Sequence, residues 1–152
     1  MKADEEKSTP QLVPAIERAV HLLALYLERQ LGALEISQAE AHVLARLDRG
    51  GSTSPTELHR LFGHKRSTLT GILDRLEARG YVTRVLNADD RRSFIVSLTS
   101  EGKIVAETVS ATIEALERRI AARLSQRDLN GFFSLLAALE AETTSDSPPP
   151  AT

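Results

Sequence analysis

The chain has 152 residues, a formal net charge of −2, 26% charged and 41% hydrophobic residues, 4% aromatics, no Trp and no Cys. That is one ordinary domain's worth of chain with a core left to Leu, Ile, Val and Ala. The lack of Cys excludes disulfides, thiolate zinc sites and thiol redox sensing. No apolar run is long enough to span a bilayer, and the polar, acidic start is unlike a signal peptide, so a cytoplasmic protein is expected.

Residues 1–11 are charged and contain Pro10, which predicts a flexible arm. Val13, Ile16, Val20, Leu23, Leu27, Leu31 and Leu34 then recur every three or four residues, the stripe of one helix. Pro14 fits its first turn and Gly32 marks its end. Ser37 with Glu40 three residues on predicts a capping box at the start of a second helix, which ends at Gly50-Gly51. Ser54-Pro55-Thr56-Glu57 opens a short third helix through Leu58, Leu61 and Phe62, broken by Gly63. A fourth helix buries Leu69, Ile72, Leu73 and Leu76 and ends at Gly80. Tyr81 to Leu86 and Phe94 to Leu98 favour strand, and Asn87-Ala88-Asp89-Asp90 between them is turn chemistry, so the pair reads as a hairpin. Thr99 starts a long helix with a near-heptad stripe of Ile104/Val105, Val109, Ile113, Leu116, Ile120 and Leu124. A last helix after Ser125 uses Leu129, Phe132, Phe133, Leu136 and Leu139, and residues 143–152 form a Ser/Pro-rich arm.

Helix, tight turn, basic helix, hairpin is the order of a winged helix-turn-helix, which places one helix in the major groove of DNA and a hairpin beside it. The fold class expected is therefore mainly α with a small β-hairpin wing. The charge distribution agrees once it is split by position. Residues 57–103 hold nine Lys/Arg against six Asp/Glu, while the rest of the chain is acidic. Phosphate contact needs only local positive charge, because screening limits its reach to about 10 Å. Lys65, Arg66, Ser67, Thr68 and Thr70 cluster at the start of the basic helix, all are donors, and a helix N-terminus adds its own attraction for phosphate. The competing reading is a solvated, self-capped face. At the hairpin tip Arg91 and Arg92 follow two aspartates, an arrangement suited to a narrow minor groove or, alternatively, to a self-paired charged turn.

The run Leu76-Glu77-Ala78-Arg79-Gly80-Tyr81-Val82-Thr83-Arg84, followed by Asp90-x-Arg92-x3-Val96-x-Leu98-Thr99-x2-Gly102, resembles the MarR family of transcriptional regulators. Every specified position of that family's wing signature is present. Ser37-Gln38 and Ser67-Thr68-Leu69-Thr70 are also similar to the family, and the resemblance spans roughly residues 12–142. It implies a homodimer on a pseudo-palindromic double-stranded DNA operator, with residues 12–34 and 101–142 as the helical dimerisation region and 38–99 as the winged lobe. It implies that Arg92 enters the minor groove, that Asp90 orients the wing by ion pairing, and that Lys65 to Thr70 read the major groove. Arg84 and Arg91 are basic neighbours suited to phosphate.

The resemblance also implies a ligand-responsive repressor with a small aromatic acid or phenolic effector. His21, Tyr26, Arg29, His42 and Arg46 lie on the two helices that would line such a cleft, and their charge favours an anion. Against this, five half-exposed helix residues need not converge. No metal or cofactor is expected: the four His (His21, His42, His59, His64) show no i, i+4 pair, and no phosphate loop or nucleophile motif occurs. An enzyme is therefore not expected. The alternative function is a winged-helix protein–protein interaction module without DNA binding.

Overall fold

The computed structural model describes residues 11–90 and 93–145; residues 1–10 of the expected arm, wing residues Arg91 and Arg92, and residues 146–152 lie outside the described residues. Among the described residues the elements are α1 (Leu12–Leu31), a 3-10 turn (Gly32–Leu34), α2 (Gln38–Gly50), α3 (Pro55–Phe62), α4 (Arg66–Ala78), β1 (Val82–Leu86), β2 (Phe94–Leu98), α5 (Ser100–Ala121) and α6 (Gln126–Ser145). The mainly helical class with one hairpin is the expected one. Two compact units divide the chain, Met1–Thr112 and Ile113–Thr152, with the boundary inside α5. Among the described residues no helix is long and apolar enough to cross a membrane.

In the first unit, local chemistry starts and stops each helix. Ser37 accepts from the Glu40 N–H while the Glu40 carboxylate accepts from the Ser37 N–H at 2.7 Å, completing the capping box of α2. Ser54 caps α3 through the Glu57 N–H, but the Glu57 carboxylate turns to Arg60 at 2.7 Å. Gly80, at φ 73, closes α4 in a Schellman motif: Tyr81 N–H donates to Leu76 O and Gly80 N–H to Glu77 O, both at 2.9 Å. The hairpin follows at once, β1 pairing antiparallel to β2 with Val82 opposite Leu98 and Leu86 opposite Phe94.

Two features escape the periodicity. The 3-10 turn after α1 leads to Glu35, held at φ 52 with its N–H on Gly32 O at 3.0 Å. Thr53 forms a one-residue antiparallel bridge to Val96, which lays the segment between α2 and α3 against β2. A single β-branched residue between glycines and a proline is too short a signal to read as strand.

The core of this unit gathers Val43, Leu44 and Leu47 of α2, Leu58 of α3, Leu69, Ile72, Leu73 and Leu76 of α4, Val82, Val96, and Ala106 of α5. The packing thus extends past residue 99 into α5. Thr99 explains how: its hydroxyl donates to Gly80 O at 2.6 Å and accepts from Gly102 N–H, so the start of α5 is pinned to the end of α4.

In the second unit, Ser125 and Asp128 cap α6 reciprocally, the Ser125 N–H donating to the Asp128 carboxylate at 2.8 Å. No described residue of α6 is buried, and Phe132 and Phe133 stand exposed, edge to face at 5.5 Å. The helix runs into the segment read as an arm, to Ser145. Thr143 and Thr144 allow this by donating their hydroxyls back to Leu139 and Glu140 carbonyls.

Candidate DNA-binding site

The two ends of α4 are occupied differently. Leu69, Ile72, Leu73 and Leu76 are buried and fix the inner face. At the N-terminal end Lys65, Arg66, Ser67, Thr68 and Thr70 are all exposed. Lys65 occupies the N-cap position and makes no side-chain cap, leaving the first-turn N–H groups and the positive end of the helix dipole open. Thr70 donates its hydroxyl to Arg66 O at 2.9 Å, so it offers an acceptor outward while that bond lasts. The structure therefore brings these five donor-bearing residues to one exposed helix end.

The C-terminal end is tied down. Arg75 Nε donates to Glu40 Oε1 at 2.8 Å, and Glu40 is 95% shielded on its side chain, with only 5% exposed. Burial pushes the Glu40 carboxyl up, but bonds from the Ser37 N–H, Arg75 and the Ser37 hydroxyl, with the Arg75 charge, outweigh it and leave its pKa lowered. Arg79 donates to Leu34 O at 2.8 Å and Glu35 O at 2.5 Å and lies 5.2 Å over the Tyr81 ring.

Arg84, on β1, is paired with Asp74 and stands 3.4 Å from Glu77 Oε2, both on α4. Its charge is spent on joining the hairpin to α4. At the base of the wing loop Asp90 O accepts from the Ser93 N–H at 2.9 Å, and Asn87 N–H donates to Ser93 O. Arg91 and Arg92 fall outside the described residues. Val85, Leu86 and Phe94 are exposed apolar groups on the outer half of the hairpin.

A shallow groove of about 170 Å³ between α3 and α4 places Arg66 and Thr70 beside Pro55, Thr56 and His59. Thr56 and His59 were not among the residues expected at DNA. The readable signal is their i, i+3 spacing on α3, which puts both on one helix face.

The five residues expected around an effector are dispersed. His42 stacks on Phe62 of α3 at 6.5 Å, and Phe62 on His64 at 6.1 Å. Burial, then the charge of His64, lower the His42 pKa. Arg46 reaches the Gly50 backbone, and its charge is felt by Glu57 of α3. His21 and Arg29 are exposed on α1, where Arg29 Nε donates to Leu25 O; Tyr26 is half-buried. The groove between α1 and α2, about 230 Å³, is instead lined by Ala24, Leu27, Glu28, Leu31, Gly32, Ile36, Ser37, Gln38 and Ala41. None of the five expected residues lines it.

The MarR family model matches residues 36–94. The transcriptional repressor MdtR of Bacillus subtilis (strain 168) is 33% identical over 129 residues, covering 81% of this chain and 82% of that protein. Among solved structures, reduced AbfR bound to DNA matches with a TM-score of 0.71 and 25% identity, covering 88% of this chain and 91% of that one. A mutant MarR from E. coli complexed with operator DNA matches at TM-score 0.66 and 25% identity, covering 84% and 94%. With its helix order, its pinned wing and a relative matched along most of both chains, the protein belongs to the MarR family of winged-helix transcriptional regulators.

Proposed function

We propose that the protein is a homodimeric repressor that reads a pseudo-palindromic DNA operator with the N-terminal end of α4 and flanks it with the β1–β2 wing. The observation that carries this reading is the asymmetry of α4: donors stand open at one end, while Arg75 and Arg79 at the other are committed to the protein's own backbone and carboxylates. An interaction module would present apolar side chains at that exposed end instead. Lys65, Arg66, Ser67, Thr68 and Thr70 are assigned to the major groove and Arg91 and Arg92 to the wing contact, with Asp90 orienting it. Arg84 is reassigned from phosphate contact to holding the wing against α4. The repressor sense follows MdtR, which is named a repressor.

Homodimerisation is supported by apolar side chains left exposed in each unit, Val13, Val20 and Leu22 in α1 and Ile120, Phe132 and Phe133 in α5 and α6. A small-molecule effector is supported by the α1–α2 groove. Its lining is mainly apolar with one carboxylate, Glu28, so a neutral phenol fits better than an aromatic acid, whose charge would face Glu28 in a partly desolvated space.

The test is a footprint on a duplex enriched by the protein from a randomised pool, repeated with a neutral phenol and with salicylate. A protected, twofold-symmetric site released by the phenol more than by salicylate is the expected result. Binding without salt dependence would refute phosphate contact. Equal phenol affinity with and without the duplex would refute the effector reading, since a ligand indifferent to the two states shifts nothing.

A further inference from the structure

We propose that Arg79, seconded by Arg75, is a positioning residue for DNA recognition: it sets the pose of α4 by anchoring its far end to the junction between α1 and α2. The inference rests on the reading that α4 contacts DNA through its N-terminal end. Neither arginine belongs to that end, and neither is a DNA contact here.

Three observations converge on the anchor. First, one guanidinium serves two consecutive carbonyls, Leu34 O and Glu35 O, across the fold from α4 to the 3-10 turn. A planar fork suits that double acceptance, and an ammonium does not reproduce it. Second, the accepting residue Glu35 is the one described non-glycine residue with positive φ, a conformation that persists only where the surroundings over-determine it. Third, Arg75 makes an independent tie one turn earlier, to Glu40, whose carboxylate also closes the capping box of α2. Together the two arginines bind the last turn of α4 to both segments that flank Ser37.

Geometry makes such an anchor consequential. At 1.5 Å rise per residue, Thr68 lies roughly 16 Å along the helix from Arg79. A tilt of 5° about the anchored end would move Thr68 by about 1.4 Å, enough to take a hydrogen bond out of its 2.7–3.2 Å range. Phosphate attraction, in contrast, decays slowly and tolerates such a shift. Loosening the anchor should therefore cost specific binding more than non-specific binding.

The experiment uses the full chain, the duplex it enriches from a randomised pool, and a scrambled duplex of equal length. Arg79→Lys keeps the charge and the cation over Tyr81 but not the double bond to the junction. Arg75→Gln, at a side chain largely exposed to solvent, is the second variant should the first melt. The ratio of the two affinities should fall about fivefold or more in the variants, the lower end of ordinary coupling energies, while scrambled-duplex binding and its salt slope stay as in wild type. A merely stabilising role would lower the melting temperature and leave that ratio unchanged, which overturns the proposal. So does a shallower salt slope with both affinities reduced together, the sign of direct phosphate contact. A wild type that enriches no sequence overturns the DNA reading and this inference with it; enrichment with unchanged ratios in the variants overturns the inference alone.

Discussion

A Cβ at residue 102 would sit 1.8 Å from the carbonyl oxygen of Tyr81. The first turn of α5 approaches the strand start so closely that only glycine fits, and the Gly102 N–H is held by Thr99, which also grips Gly80 O. The tail of the wing signature is thus a steric lock. Gly102→Ala should cost about 1–3 kcal/mol, the usual price of overpacking, read as a lower urea midpoint at unchanged slope. Glu40 makes a second prediction at this scale. Its folded pKa is lowered, so the stability it contributes is present above the unfolded value and lost as pH falls through the folded one. Glu40→Gln keeps the capping-box pattern but removes the charge. The melting temperatures of variant and wild type should differ most near pH 7 and converge in acid; a constant difference across pH would rule out the ionised carboxylate as the source.

At the scale of elements, the proposed DNA reading divides α4 along its length, and two substitutions test the division. Arg66→Ala should weaken binding to all duplexes alike and reduce the salt slope by about 1, as for one lost phosphate contact. Thr68→Ala should leave the slope intact and change which sequences are enriched. The reverse pattern would exchange their roles. Most of this element was legible beforehand, since caps, the apolar stripe and the terminal Gly80 are local signals. What periodicity could not show is where long polar side chains go. Arg79 and Arg84 look alike as basic residues flanking a wing, yet their partners, Leu34 and Asp74, are set by tertiary placement. The residues expected around an effector raise the same question. Knowing that His42 and Arg46 sit on α2 does not say which face meets α1, and the structure turns both toward α3. The 3-10 turn and the Thr53 bridge were missed because each is too short to carry a period.

For the whole molecule the sharpest expectation comes from α6. It has 20 residues, and none of those whose burial is described is buried. A helix of that length without tertiary packing is marginal in water, because nucleation is costly and propensity alone offsets little of it. Phe132 and Phe133 would in addition leave two aromatic rings facing solvent. Both problems disappear if a second copy covers this helix together with the exposed apolar residues of α1, in a permanent interface of roughly 2,000 Å² or more. Folding of α6 is then linked to association, so helix content and melting temperature should rise with protein concentration. Phe133→Asp should yield a species that sediments as a monomer and has lost helical circular dichroism, with operator affinity reduced because two lobes no longer act together. The dimer should protect half-sites whose centres lie about 34–36 Å apart, one helical turn on the same face of the duplex. A monomer of full helix content, melting at the same temperature from micromolar to hundreds of micromolar protein, would refute the dimer and leave the exposed face of α6 to some other partner.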